Sequence, residues 1–190
     1  KTKPIDQVHA VRRIRTFGIK DKRNTALQVL QGVLGAGMSS RLFQKLRDEM
    51  GVCYYVKSGI DEYTDHGLLA VATGVDIKRA PQALEAVCKE LKRLKDELVS
   101  EEELKKVKDC LIGNMYLGLE TSDSLAEFYA IQEILKQSSL TPHQLEEKIR
   151  AVTAEDIQKL AQEVIQDKNL NLAIVSSLTD PAPFEKILHV

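Results

Sequence analysis

The sequence predicts an α/β (α+β) domain of two layers, a small mixed, largely antiparallel sheet covered by helices. Three observations predict it. The hydrophobic periods run in the order strand, two helices, hairpin, several helices, strand. No βαβ repetition and no internal repeat breaks that order. The length, 190 residues, fits a single domain over 1–190. A chain of that size buries roughly 70% of the surface its unfolded form would expose.

Each element has its own signal. Gln7 to Phe17 is rich in β-branched residues and reads as a strand, although Arg12, Arg13 and Arg15 interrupt its alternation. Leu27, Leu30 and Leu34 recur at helical spacing over Asn24 to Leu34. Gly35 and Gly37 end that helix. Ser39 or Ser40 caps the next, which buries Leu42, Phe43 and Leu46 and stops at Gly51. Strands at about Cys53 to Ile60 and Gly67 to Val75 flank the polar turn Asp61 to His66, an antiparallel hairpin. Asp76 caps a helix whose stripe is Leu84, Val87, Leu91, Leu94 and Leu98.

Ser100 and Glu103 form a capping box ahead of Leu104, Val107, Leu111 and Met115. Thr121 opens a helix with Leu125, Phe128, Tyr129 and Leu135 inward. Thr141-Pro142-His143-Gln144 and Thr153-Ala154-Glu155-Asp156 are two further starts, the second leading into Ile157, Leu160, Val164 and Ile165. Leu170, Leu172 and Ile174 alternate as a last strand. The tail from Thr179 to Val190, with Pro181 and Pro183, reads as peripheral.

Composition excludes several classes. The net charge of −1 argues against a general nucleic-acid or membrane-surface binder. No apolar run approaches the ~20 residues of a membrane helix. Cys53, Cys88 and Cys110 lack metal-like spacing and read as free thiols of a reducing compartment, which predicts a cytoplasmic protein. The chain opens at Lys1 without a Met, which predicts a piece of something longer.

Metal, nucleotide and nucleophile signals are weak. A helix-borne zinc site with His-x-x-Glu-His needs both histidines on one face. The nearest approach, His143-Gln144-Leu145-Glu146-Glu147, puts Glu147 where the second histidine belongs, so no metal ligands are expected in this chain. The run Gly32-Val33-Leu34-Gly35-Ala36-Gly37 lacks the Lys and Ser/Thr of a phosphate loop and reads as a helix end and turn. Cys53 reads as a small buried residue.

Arg47 and Tyr54 stand at a helix–turn–strand joint. Together they offer a fork of donors plus one O–H, suited to peptide carbonyls and carboxylates. From residue chemistry alone they read first as a solvated helix Arg, paired with Asp48 or Glu49, and a half-buried strand Tyr.

The stretch Gly37-Met38-Ser39-Ser40-Arg41-Leu42-Phe43-Gln44-Lys45-Leu46-Arg47-Asp48-Glu49-Met50-Gly51-Val52-Cys53-Tyr54 changes that ranking. It resembles the Arg/Tyr signature in the C-terminal half of the pitrilysin-like zinc metallopeptidases, which include the mitochondrial processing peptidases. The likeness extends to Asp6-Gln7-Val8-His9, Leu30 to Gly37, the helix start at Ser100 and Ala173-Ile174-Val175. It implies a processing-peptidase-like metallohydrolase fold. It also implies that Arg47 and Tyr54 bind the substrate backbone, Tyr54 helping to stabilise the oxyanion that forms as water attacks. The resemblance places zinc in a partner N-terminal domain or subunit, so this chain alone is expected to be inactive.

Three functions follow as expectations. The first is the substrate-binding, chamber-closing C-terminal domain of a zinc endopeptidase, with a peptide substrate as ligand. The second is a structural or assembly subunit of the same superfamily. The third is an α/β interaction module carrying the motif by chance. A homodimer through the face that would meet the zinc half is a further expectation.

Overall fold

The structure, a computed structural model, describes residues 1–136 and 138–189. Its centre is a four-stranded antiparallel sheet in the order β2-β3-β1-β4. β1 (Gln7–Thr16) pairs with β3 (Gly67–Asp76) on one side and β4 (Leu170–Val175) on the other. β2 (Cys53–Glu62) forms the hairpin with β3 and makes one edge. The hairpin turn is shorter than its polar sequence suggests. Asp61 and Glu62 still pair, opposite Leu68 and Gly67. Arg13 reaches Asp61 at 3.5 Å and Lys136 reaches Glu62 at 3.8 Å, so both carboxylates have cations at the strand end.

The helices lie on one face of the sheet. Val8, Ala10 and Ile14 of β1 and Leu69, Val71 and Val75 of β3 point into them and are at most 2% exposed. α1 (Asn24–Gly35) supplies Leu27, Leu30 and Leu34, all fully buried. Each such leucine contributes about 1.5–3 kcal/mol of burial. α3 (Ala80–Asp96) packs against α7 (Ala154–Val164), and α4 (Glu101–Gly118) against α1. α6 (Pro142–Ala151) and α7 both open with complete capping boxes, Thr141 with Gln144 and Thr153 with Asp156. The opposite sheet face is left to solvent, with His9, Arg13, Arg15, Tyr55 and Lys57 exposed.

Four expectations need correction. α3 ends at Asp96, and Glu97 is extended, so Leu98 leaves the stripe and is 51% exposed while Val99 takes the core position. The capping box at Ser100 is half made. Ser100 accepts from the Glu103 backbone, but the Glu103 carboxylate is drawn to Arg41. α5 (Ser122–Ile131) buries no residue, and Tyr129 is 37% exposed. The tail is not peripheral through His189, Val190 lying outside the described residues. α8 (Ala182–Glu185) buries Phe184, with Ile187 and Leu188 packed beside it.

Arg12 is the largest departure from pattern. It shares the helix-facing side of β1 with Ala10 and Ile14 and is 1% exposed. Its Nη1 donates to the Cys88 sulfur at 2.7 Å, and Cys88 in turn donates to the Ile187 carbonyl at 2.7 Å. Among the described residues Nε and Nη2 have no hydrogen-bond partner. Alternation alone puts this charged side chain inward, because a one-residue slip would expose every apolar neighbour.

Candidate functional site

The site begins at a change of helical pitch. α2 (Arg41–Phe43) runs straight into a π-helical turn, Gln44–Glu49. Ser40 holds the N-cap position in extended conformation, but its hydroxyl donates to the Gly37 carbonyl at 2.7 Å instead of capping. Leu42 and Leu46, both fully buried, pin the segment to the core. Arg47 is on the outer side. The π turn closes with the Met50 amide on the Lys45 carbonyl at 3.1 Å and the Val52 amide on the Leu46 carbonyl at 2.9 Å. Gly51 then reverses the chain at φ 60°, a left-handed conformation in which a side chain is strained.

β2 starts with a bulge. Cys53 is opposite Val75 and Tyr55 is opposite Gly74, so Tyr54 is the extra residue. The bulge changes which residues face the helices. Cys53 is buried there, and past the bulge Val56 and Ile60 pack on the core. Without the extra residue Tyr55 would share the Cys53 face. Instead its ring covers Gly74, where an added Cβ would stand 2.3 Å from it. It reaches His9, whose Nδ1 is hydrogen-bonded to the Tyr55 hydroxyl at 3.1 Å.

Arg47 and Tyr54 therefore share one exposed corner. Arg47 Nη1 donates to the Tyr54 carbonyl and, at 3.5 Å, to that of Cys53. Of the two expected alternative partners, Asp48 and Glu49, the latter is held by Lys45 at 2.6 Å. The Tyr54 ring is 56% exposed, and no hydrogen bond among the described residues holds its hydroxyl. The corner can thus present a phenol and the remaining guanidinium donors to a ligand. Burial pushes the Cys53 thiol up, against the opposing pull of Arg47. That thiol is protonated at neutral pH and is a packing residue rather than a nucleophile.

Arg41, in the same signature, has a structural role that the sequence did not disclose. Its Nε and Nη2 fork onto both oxygens of Glu103 at 2.8 and 2.7 Å. The side chains are 11% and 28% exposed, and the pair ties α2 to the start of α4. In the sequence Glu103 reads as the second half of the Ser100 capping box, which hides the pairing. The His9–Tyr55 pair was also missed; the Tyr54-Tyr55 doublet marks it, but only the bulge makes the second ring face outward.

His143 lies in the first turn of α6, 74% exposed, with Glu147 at 3.7 Å. These residues do not fit a zinc site, since one histidine and one exposed carboxylate leave the coordination shell open. Among the described residues no group of three or more His, Cys, Asp or Glu could hold a metal ion. Nor is any described helix long and apolar enough to cross a membrane.

The fold and the corner define a two-layer α+β domain with an Arg/Tyr joint and no metal cluster of its own among the described residues. Residues 1–111 match the family described as the peptidase M16 inactive domain, and the chain belongs to that family. It is 29% identical over 176 residues to the uncharacterized zinc protease YmxG of Bacillus subtilis, covering 93% of this chain and 43% of that protein. It is also 29% identical over 153 residues to the mitochondrial-processing peptidase subunit alpha of Rattus norvegicus, covering 80% and 29% respectively. A conserved protein from Enterococcus faecalis superposes with TM-score 0.83 at 26% identity, over 95% of this chain and 42% of that one. The chain thus spans less than half the length of these relatives.

Proposed function

We propose that this chain is the substrate-binding, chamber-closing half of a zinc-dependent peptidase. One observation carries the proposal: the π turn, Gly51 and the bulge bring Arg47 and Tyr54 to one exposed corner, with no hydrogen bond among the described residues holding the phenol. In this reading the Arg47 guanidinium and the Tyr54 hydroxyl donate to carbonyl oxygens of an extended peptide. Tyr54 also donates to the scissile oxygen as its negative charge develops. A donor aimed at developing charge in a closed site is worth about 2.7–4 kcal/mol. The catalytic metal belongs to another domain, in the same chain or in a partner subunit. Membership of the M16 inactive-domain family and similarity to a zinc protease and to a processing-peptidase subunit support the pairing.

A peptide-cleavage assay tests this reading. The chain is assayed alone and mixed with the zinc-bearing half from the same source, with and without a chelator. Chelator-sensitive cleavage only in the mixture is expected. No cleavage with a folded, metal-loaded partner would assign the chain to a structural or assembly role instead.

A further inference from the structure

α5 faces the N-terminal end of α1 across a cavity. Its volume is about 340 Å³, within the roughly 300–1,000 Å³ of small-molecule sites. Phe128 and Ile131 of α5, with Leu140 and Leu145, form an apolar wall. α5 buries no residue, and part of its apolar side lines this space. The other wall holds an unsatisfied acceptor. Asn24, the first residue of α1, lines the cavity and is 7% exposed. Its Nδ2 donates to the carbonyls of Gly18 and Ile19, each at 3.0 Å. Two acceptors on that side fix which way the amide points. Oδ1 is left with no hydrogen-bond partner among the described residues. A buried carbonyl oxygen without a donor is destabilising, so the position calls for an N–H or an O–H.

The mouth of the cavity is cationic. Lys22, Thr25 and Lys148 also line a second cavity, of about 590 Å³, so they stand where the two meet. The neighbouring charges are paired. Asp21 and Glu163 both hold Arg23, and Lys136 reaches Glu62. Asp156 and Lys159 line only the wider cavity and offset each other's charge. Lys22 and Lys148 have no ion-pair partner among the described residues. Thr25 belongs to the first turn of α1, which has no side-chain cap and no acidic residue. The positive end of the helix therefore adds to the two lysines.

We infer that this cavity is an exosite for the C-terminal residue of a peptide. Three groups of one such residue match three features of the cavity. An apolar side chain packs on Phe128, Ile131, Leu140 and Leu145. The backbone N–H donates to Asn24 Oδ1. The free carboxylate meets Lys22 and Lys148 at the start of α1. Only a chain end carries all three groups on one residue. The cavity lies at the far end of β2 from the Arg47/Tyr54 corner, since Lys136 on its wall reaches Glu62, the last residue of the strand. The eight residues from Tyr54 to Glu62 make about 27 Å of strand. About the same number of residues of an extended peptide spans that distance. The inference rests on the proposed peptide-binding function and adds to it a grip on the substrate's C-terminus.

The test is fluorescence anisotropy on the full chain with one N-terminally labelled peptide ending in Leu, made as the free acid and as the C-terminal amide. The acid is expected to bind about tenfold more tightly than the amide at low salt, and N-acetyl-leucine to displace it. In Lys22→Gln/Lys148→Gln, two exposed positions, acid and amide should bind alike with an unchanged melting temperature. The preference for the acid should persist in Arg47→Ala, which acts at the other end of β2. Equal binding of acid and amide to the wild type would overturn the exosite and leave backbone capture at the corner standing. A preference lost in Arg47→Ala and kept in the lysine variant would put the carboxylate on Arg47 and overturn it too. Displacement by acetate as effective as by N-acetyl-leucine would make the mouth a plain anion site, again overturning it. No binding of either peptide would also overturn it, while the cleavage assay on the assembled enzyme judges the peptide-binding reading separately.

Discussion

Arg47 meets Tyr54 through the backbone: its Nη1 donates to the Tyr54 carbonyl, while the Tyr54 phenol remains 56% exposed. The guanidinium therefore fixes the bulge from which the phenol projects. One arginine nitrogen is committed to the fold and the rest of the fork is free for a ligand. This division explains why the two residues must keep their spacing across Gly51.

Arg47→Ala removes the tie and the free donors together. In the assembled peptidase KM is expected to rise about tenfold, equivalent to about 1.4 kcal/mol, with a smaller loss in kcat. Arg47→Lys should recover little, because an ammonium lacks the planar fork. Steady-state kinetics on both variants checks this.

Gly51→Ala tests the turn. Nothing stands within 4 Å of an added Cβ, so the cost is the left-handed backbone alone. At φ 60° that is about 1–2 kcal/mol. Urea unfolding should show that loss with an unchanged m-value.

Arg41→Ala should lower stability by about 1.5–3 kcal/mol, since Glu103 loses a bidentate, largely buried partner. Arg41→Lys should restore less than half of it. An unchanged melting temperature would show that the fork does not hold α2 to α4.

Arg12→Met should be neutral or stabilising, by up to about 4 kcal/mol. The present guanidinium is 1% exposed, two of its nitrogens have no partner among the described residues, and Met keeps the volume without the charge. Thermal unfolding of the variant is the check. A large loss would mean that the contact to Cys88 outweighs the desolvation.

Much of the fold was legible because its signals are local. Leu27, Leu30 and Leu34 declare α1 by period, and Thr141 and Thr153 declare two helix starts by hydrogen-bond chemistry. What was hidden depends on partners distant in sequence. Leu98 continues the α3 stripe in sequence, yet the chain has already turned extended at Glu97. Glu103 looks like a box residue until Arg41, 62 positions away, claims it. The tail looked peripheral because its prolines are visible in sequence and the cover Phe184 gives the core is not. At the site, the motif located Arg47 and Tyr54, but the bulge that turns Tyr55 outward exists only in the pairing of β2 with β3.

The most direct measurement is single-turnover peptide cleavage by the chain assembled with its zinc-bearing half, wild type against Tyr54→Phe. The Tyr54 ring is exposed and its hydroxyl makes no hydrogen bond among the described residues, so the variant should fold and bind peptide as before. The account predicts a single-turnover rate lower by about 10²- to 10³-fold, with peptide affinity essentially unchanged. An unchanged rate would contradict it and leave Tyr54 a surface residue of the bulge.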